Sequence, residues 1–88
     1  MKIVKGYVLR HLSDQHIIIG EGVDQVKVNK MFIVNDSMSY LFENLVGKEF
    51  TVDDMVRLLL DEYEVTEEVA REDCIETIND WKANGIVK

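Results

Sequence analysis

The sequence predicts an α+β fold: a three-stranded antiparallel sheet followed by three helices (βββααα), in the outline of a winged helix-turn-helix with the wing placed first. Three observations predict it. β-branched, apolar runs fill the first third of the chain, at Tyr7–Leu12, His16–Gly20 and Lys30–Val34. The hydrophobic period changes at Asn35-Asp36-Ser37, after which Met38, Leu41, Phe42 and Leu45 recur at i, i+3, i+4 and i+7. Two further helix starts, at Thr51 and Thr66, follow stretches that break the pattern, and Gly47 and Gly85 stand where helices stop.

The elements follow in order. In the first strand Tyr7, Leu9 and His11 share one face and Val8, Arg10 and Leu12 the other. Ser13-Asp14-Gln15 is a turn signal, so His16–Gly20 folds back as a hairpin. Glu21–Asn29 fits neither period and is expected to return the chain across the sheet, with a bulge. Lys30–Val34 is the third strand. The first helix spans Ser37–Val46 with Asp36 as its N-cap. Thr51-Val52-Asp53-Asp54 resembles a capping box and opens a helix running to about Tyr63, whose stripe is Val52, Met55, Val56, Leu59 and Tyr63. Thr66 caps the third helix, with Glu67 and Glu68 in the first turn where the helix dipole favours negative charge. Its buried stripe is Ala70, Cys74, Ile78 and Trp81, and Ile86-Val87 beyond Gly85 covers the edge of the core.

Eighty-eight residues with 47% apolar content read as a single domain, residues 1–88. Cys74 is the only cysteine, which rules out an intrachain disulfide and fits a reducing cytoplasm. MKIVKGYVLR lacks the apolar core of a signal peptide, and no apolar run reaches the length of a membrane span. Charge is uneven. Residues 1–35 hold five basic and three acidic side chains, residues 36–88 five basic and fourteen acidic, and the net charge is −7. The helical half therefore repels phosphate and suits protein partners.

No catalytic set emerges. His11, His16 and Cys74 match no metal-ligand spacing, and Cys74 lies on an apolar stripe, so they read as strand residues and a core thiol. Asp53-Asp54 and Glu67-Glu68 sit in first helical turns, where capping explains them better than acid–base chemistry. Phosphate-binding glycine loops, nucleophile elbows and zinc-helix motifs are missing from the sequence. The expectation is a protein without catalytic activity, cofactor or metal. The helix-turn-helix outline raises a DNA-binding regulator as an alternative, but both candidate recognition helices are acidic. A scaffold or oligomerisation module is the other alternative. A free edge on the third strand, a template for an added strand, favours a peptide-binding surface.

An ordered series of residues adds to this: Ile33-Val34-Asn35-Asp36-Ser37, Tyr40-Leu41-Phe42, Gly47, Thr51-Val52, Leu60-Asp61-Glu62-Tyr63-Glu64-Val65, Asp73-Cys74 and Gly85-Ile86-Val87. The series resembles the PqqD family, named for pyrroloquinoline quinone biosynthesis protein D. It departs from the family at Val34, Cys74, Thr77 (where a large apolar residue is common) and Trp81, mostly changes of core volume. The resemblance implies a non-catalytic RiPP precursor peptide recognition element. Such an element holds the leader segment of a ribosomally made precursor peptide and presents it to a modifying enzyme, often a radical S-adenosylmethionine protein. In the family the leader adds as a strand beside the third strand and packs against the third helix. Carried over by position, the resemblance implies peptide contacts at Lys30, Met31, Phe32, Ile33 and Val34, with Arg71, Ile75, Ile78 and Lys82 across the groove. The two cations there would favour an acidic group on the peptide. Ile75 lies off the line of Cys74, Ile78 and Trp81, so it is placed to flank such a groove.

Overall fold

The computed structural model describes residues 1–21 and 31–88. Lys30 and, apart from Glu21, the expected return over Glu21–Asn29 lie outside the described residues. The elements are β1 (Tyr7–Leu12), β2 (Gln15–Gly20), β3 (Met31–Val34), α1 (Asp36–Leu45), α2 (Val52–Glu62) and α3 (Glu67–Ala83). The three strands form one antiparallel sheet in the order β1-β2-β3. Leu12 pairs with Gln15 across a two-residue loop, Ser13-Asp14, in which Ser13 adopts φ 55°. That left-handed residue lets so short a loop follow the twist of the strands. Pairing then runs from His11 opposite His16 to Tyr7 opposite Gly20. On the other side of β2, His16 faces Val34 and Ile19 faces Met31.

Helix termini follow the local chemistry. The α1 cap is Asn35, not Asp36: its Oδ1 accepts the Met38 N–H at 2.8 Å and the Ser37 hydroxyl at 2.9 Å. Asp36 is thereby the first helical residue, and its carboxylate meets His16 Nε2 at 2.6 Å. His16 Nδ1 in turn shares a 2.7 Å hydrogen bond with His11 Nδ1, one ring donating and the other accepting. The two histidines thus tie the β1–β2 hairpin to the start of α1. Thr51 and Asp54 form both halves of the expected capping box on α2. Thr66 Oγ1 accepts the Val69 N–H at the start of α3. The end of α3 is a Schellman motif around Gly85 (φ 76°): Gly85 N–H donates to the Lys82 carbonyl at 3.1 Å and Ile86 N–H to that of Trp81 at 2.8 Å.

The core lies between the inner sheet face and the helices. Tyr7, Ile18 and Val34 come from the strands, Leu41, Phe42 and Leu45 from α1, Met55, Val56 and Leu59 from α2, and Ala70, Cys74, Ile78 and Trp81 from α3. Phe42 meets Trp81 edge to face with ring centroids 6.1 Å apart. The N-terminal segment, which sequence periodicity left unread, closes the core's edge. Ile3 and Val4 are buried, Ile3 bridges Val87, and Val4 N–H donates to the Ile86 carbonyl at 2.7 Å. Ile86 and Val87 are buried as expected. No helix among the described residues is long and apolar enough to cross a membrane.

Candidate peptide-binding edge and cleft

β3 lies at the end of the strand order, so one of its edges pairs with β2 and the other has no strand partner among the described residues. Alternation divides its side chains. Phe32 and Val34 turn toward the core, Val34 fully buried and Phe32 half-buried, while Met31 and Ile33 are 53% and 68% exposed on the outer face. In an antiparallel ladder alternate residues aim their N–H and C=O groups at the same edge. Either Met31 and Ile33 or Phe32 and Val34 therefore offer main-chain groups to an incoming strand.

One residue beyond β3 the chain enters a cleft of about 440 Å³. The β3–α1 junction forms one wall with Asn35, Ser37 and Met38, and α3 forms the other with Asp73, Glu76, Thr77 and Asp80. Position along α3 explains the second wall: 73, 76, 77 and 80 are spaced i, i+3, i+4, i+7 and share one face. Ile75, 46% exposed, lies beside that face and shares a shallower depression with Glu72, Asp73, Glu76 and Asn79. A free edge and a cleft against α3 thus adjoin at the end of β3.

The α3 residues expected at the groove take different places. Ile78 is only 3% exposed and belongs to the core, as do Ala70, Cys74 and Trp81 of the stripe that it shares. Arg71 turns toward α2: its guanidinium donates to Asp53 Oδ1 at 2.8 Å and lies 3.5 Å from Glu67. Asp53's hydrogen bond is the main cause of the further rise in the Arg71 pKa, so that cation is engaged within the fold. Lys82 is exposed but does not line the cleft. The cleft wall is acidic, opposite in sign to the expectation drawn from Arg71 and Lys82. Sequence reading missed Asn35, Ser37, Met38, Asp73, Glu76, Thr77 and Asp80 as lining residues. The i, i+3, i+7 spacing of Asp73, Glu76 and Asp80 was the available signal.

Nothing in this arrangement resembles a catalytic centre. Cys74 is buried, and burial first, then the neighbouring Asp73, pushes its thiol up to about 11, with Arg71 pulling slightly the other way. Such a thiol is a poor nucleophile at neutral pH. No group of three or more His, Cys, Asp or Glu among the described residues is arranged to hold a metal ion.

Two solved structures share the whole architecture. "TbiB1 in Complex with the TbiA(beta) Leader Peptide" matches with a TM-score of 0.77 at 16% identity, covering 100% of this chain and 95% of that one. "Lasso peptide synthetase B1 complexed with the leader peptide" matches with a TM-score of 0.74 at 16% identity, covering 99% and 95%. At that identity the likeness speaks for the fold: three antiparallel strands followed by three helices. Among curated proteins none matches the chain. The model of the family described as coenzyme PQQ synthesis protein D matches residues 7–87, from the first residue of β1 to the end of the core-covering tail, and the chain belongs to the PqqD family.

Proposed function

We propose that residues 1–88 act as one peptide-recognition domain, which holds the leader segment of a ribosomally made precursor peptide and presents it to a modifying enzyme without catalysing a reaction itself. The observation that carries this reading is the unpartnered edge of β3 opening onto the cleft against α3. Family membership and two structural neighbours solved in complex with a leader peptide support it. The added strand gains main-chain hydrogen bonds along Met31–Val34, and the cleft and Ile75 select its side chains. So short a strand buries a small interface, which corresponds to affinity on the order of micromolar, about −8 kcal/mol. The family points to a radical S-adenosylmethionine enzyme as the partner served, in the cytoplasm. Duplex DNA is a poor alternative occupant: the exposed surface of α3 carries Glu67, Glu68, Glu72, Asp73, Glu76 and Asp80, and one of its two cations, Arg71, is already paired.

The test is an amide-shift titration of the isotope-labelled protein with the precursor peptide encoded beside its gene. Shifts are expected at residues 31–34 and along the cleft face of α3. Shifts confined to α1 and α2, with 31–34 and 71–82 unmoved, would refute the site. Proline at each position of β3 in turn refines it. At the alternate positions whose N–H faces the free edge, proline removes a donor to the peptide, leaves the β2–β3 pairing intact, and should weaken binding tenfold or more.

A further inference from the structure

We infer that His11 and His16, joined across the β1–β2 hairpin, form a chelate site for a divalent metal ion of the imidazole-preferring kind, such as Zn²⁺. The site does not depend on leader binding. Sequence spacing hides it, because the two-residue loop sets the two histidines directly opposite each other in the ladder. Cross-strand neighbours have Cβ atoms about 4.5–5.5 Å apart, close enough for two imidazoles to meet. These two meet Nδ1 to Nδ1 at 2.7 Å, with the rings 87° apart in an edge arrangement. One proton occupies that contact, and a metal ion taking its place receives a lone pair from each Nδ1. Zinc–nitrogen bonds of about 2.0–2.1 Å at a tetrahedral angle place two ligating nitrogens roughly 3.3–3.4 Å apart. The pair therefore has to open by roughly 0.6–0.7 Å. A small rotation of the exposed His11 ring supplies that opening.

The outer ring nitrogens are an independent sign. A histidine that binds metal through one nitrogen ordinarily gives the N–H of the other to a carboxylate, which fixes the tautomer and strengthens the ligand. Both histidines have such a carboxylate. His16 Nε2 lies 2.6 Å from Asp36 Oδ1 at the start of α1, and His11 Nε2 lies 3.7 Å from Glu43 Oε1 further along the same helix. With Nε2–H turned to the carboxylates, both Nδ1 lone pairs are left for the metal. The two carboxylates also offset the charge of a divalent ion. Arg10, beside His11 in β1, does not oppose it: it stands on the other sheet face and donates to both carboxylate oxygens of Glu21, at 3.0 and 3.1 Å. The His11 side chain is 53% exposed, so water completes the coordination shell. Two imidazoles and water suit Zn²⁺, Cu²⁺ or Ni²⁺, and not Mg²⁺ or Ca²⁺, which require oxygen ligands. The bound ion would cross-link β1 to β2 beside their turn and, through Asp36, reinforce the corner where β3 passes into α1.

The probe is Zn²⁺, titrated into the untagged, isotope-labelled protein near neutral pH, with Mg²⁺ as control. Nitrogen–proton correlation spectra of the imidazole rings show which nitrogen takes the metal. Saturation at a single equivalent is expected, with both Nδ1 resonances shifted and both Nε2 atoms keeping their protons. Mg²⁺ should leave these resonances unmoved. His11→Gln, at an exposed position, removes one ligand and should weaken Zn²⁺ at least about tenfold. His16→Gln should do the same, and an otherwise unchanged amide spectrum shows that either variant is folded. Ligation through Nε2, equal response to Mg²⁺, equal affinity in the native protein and both histidine variants, or Zn²⁺ shifts confined to the acidic face of α3 would overturn the inference. None of these outcomes bears on strand addition at β3, which the precursor titration tests by itself.

Discussion

Replacing Gly85 by alanine isolates the cost of one backbone conformation. Gly85 has φ 76°, and a Cβ built there meets nothing within 4 Å. The substitution therefore creates no clash, and its whole effect is conformational. An L-residue with a Cβ pays roughly 1–2 kcal/mol to enter the left-handed region. Alanine recovers roughly 0.4–1 kcal/mol because its unfolded chain has less freedom to lose. The net loss is about 1 kcal/mol, which lowers Tm by about 4–8 °C in a domain of this size. The two Schellman hydrogen bonds, from Gly85 to Lys82 and from Ile86 to Trp81, should survive, since neither involves the new methyl group. Urea unfolding followed by far-ultraviolet circular dichroism gives the free energy, and an unchanged m-value shows that the same surface is exposed on unfolding. Asparagine, which tolerates the left-handed region, should cost less than alanine. A gain in stability of about 0.4 kcal/mol or more for alanine would mean that Gly85 is not left-handed in solution. A loss above about 3 kcal/mol would mean that the space around it is not open, and either result refutes the reasoning.

Two further outcomes test the helix phase and the thiol. Ile78→Ala should cost about 2–4 kcal/mol by the same unfolding assay, while Ile75→Ala, one face away and half exposed, should stay within about 0.5 kcal/mol and act on peptide affinity instead. Similar stability losses at both positions would place α3 in the wrong rotation. Cys74, with its thiol pushed from 9.0 up to about 11, should be mostly protonated up to that pH. At pH 8 its thiolate fraction is about a hundredfold below that of an unperturbed thiol, and alkylation should be slower by at least that factor, accelerating about tenfold per pH unit toward pH 11. Rapid labelling of the native protein near neutral pH would contradict the burial.

The elements of this fold were legible because each carries a local signal. The change of period at Asn35, the Thr51–Asp54 box and Gly85 each act within a few residues, and the three strands and three helices fall where those signals place them. The error over the α1 cap shows where local signals run out. Asn35, Asp36 and Ser37 are all good caps by residue type, and the choice turned on a tertiary partner: His16, twenty residues earlier, takes the Asp36 carboxylate and leaves Asn35 to cap. Residues 1–4 went unread for a similar reason. Ile3 and Val4 carry no periodicity in so short a run, and their burial depends on Ile86 and Val87 at the far end of the chain.

The candidate site was half legible, and α3 shows why. Its apolar stripe announces itself because burial selects side chains that water disfavours. Its second face, where Arg71 reaches Asp53, depends on how α2 packs and leaves no trace in the spacing. Its third face, Asp73, Glu76 and Asp80, is visible in the sequence, but its spacing does not say whether it lines a cleft or only meets water. What decides is tertiary: the β3–α1 junction stands opposite it and makes it one wall of a cleft. Thr77 lies between the apolar stripe and the acidic one, and it is buried like the first while lining the cleft with the second. The resemblance to the family leads one to expect a large apolar side chain there, which would extend the core stripe. Threonine instead gives up apolar burial and brings a hydroxyl to the cleft wall, so the core stripe ends where the cleft begins.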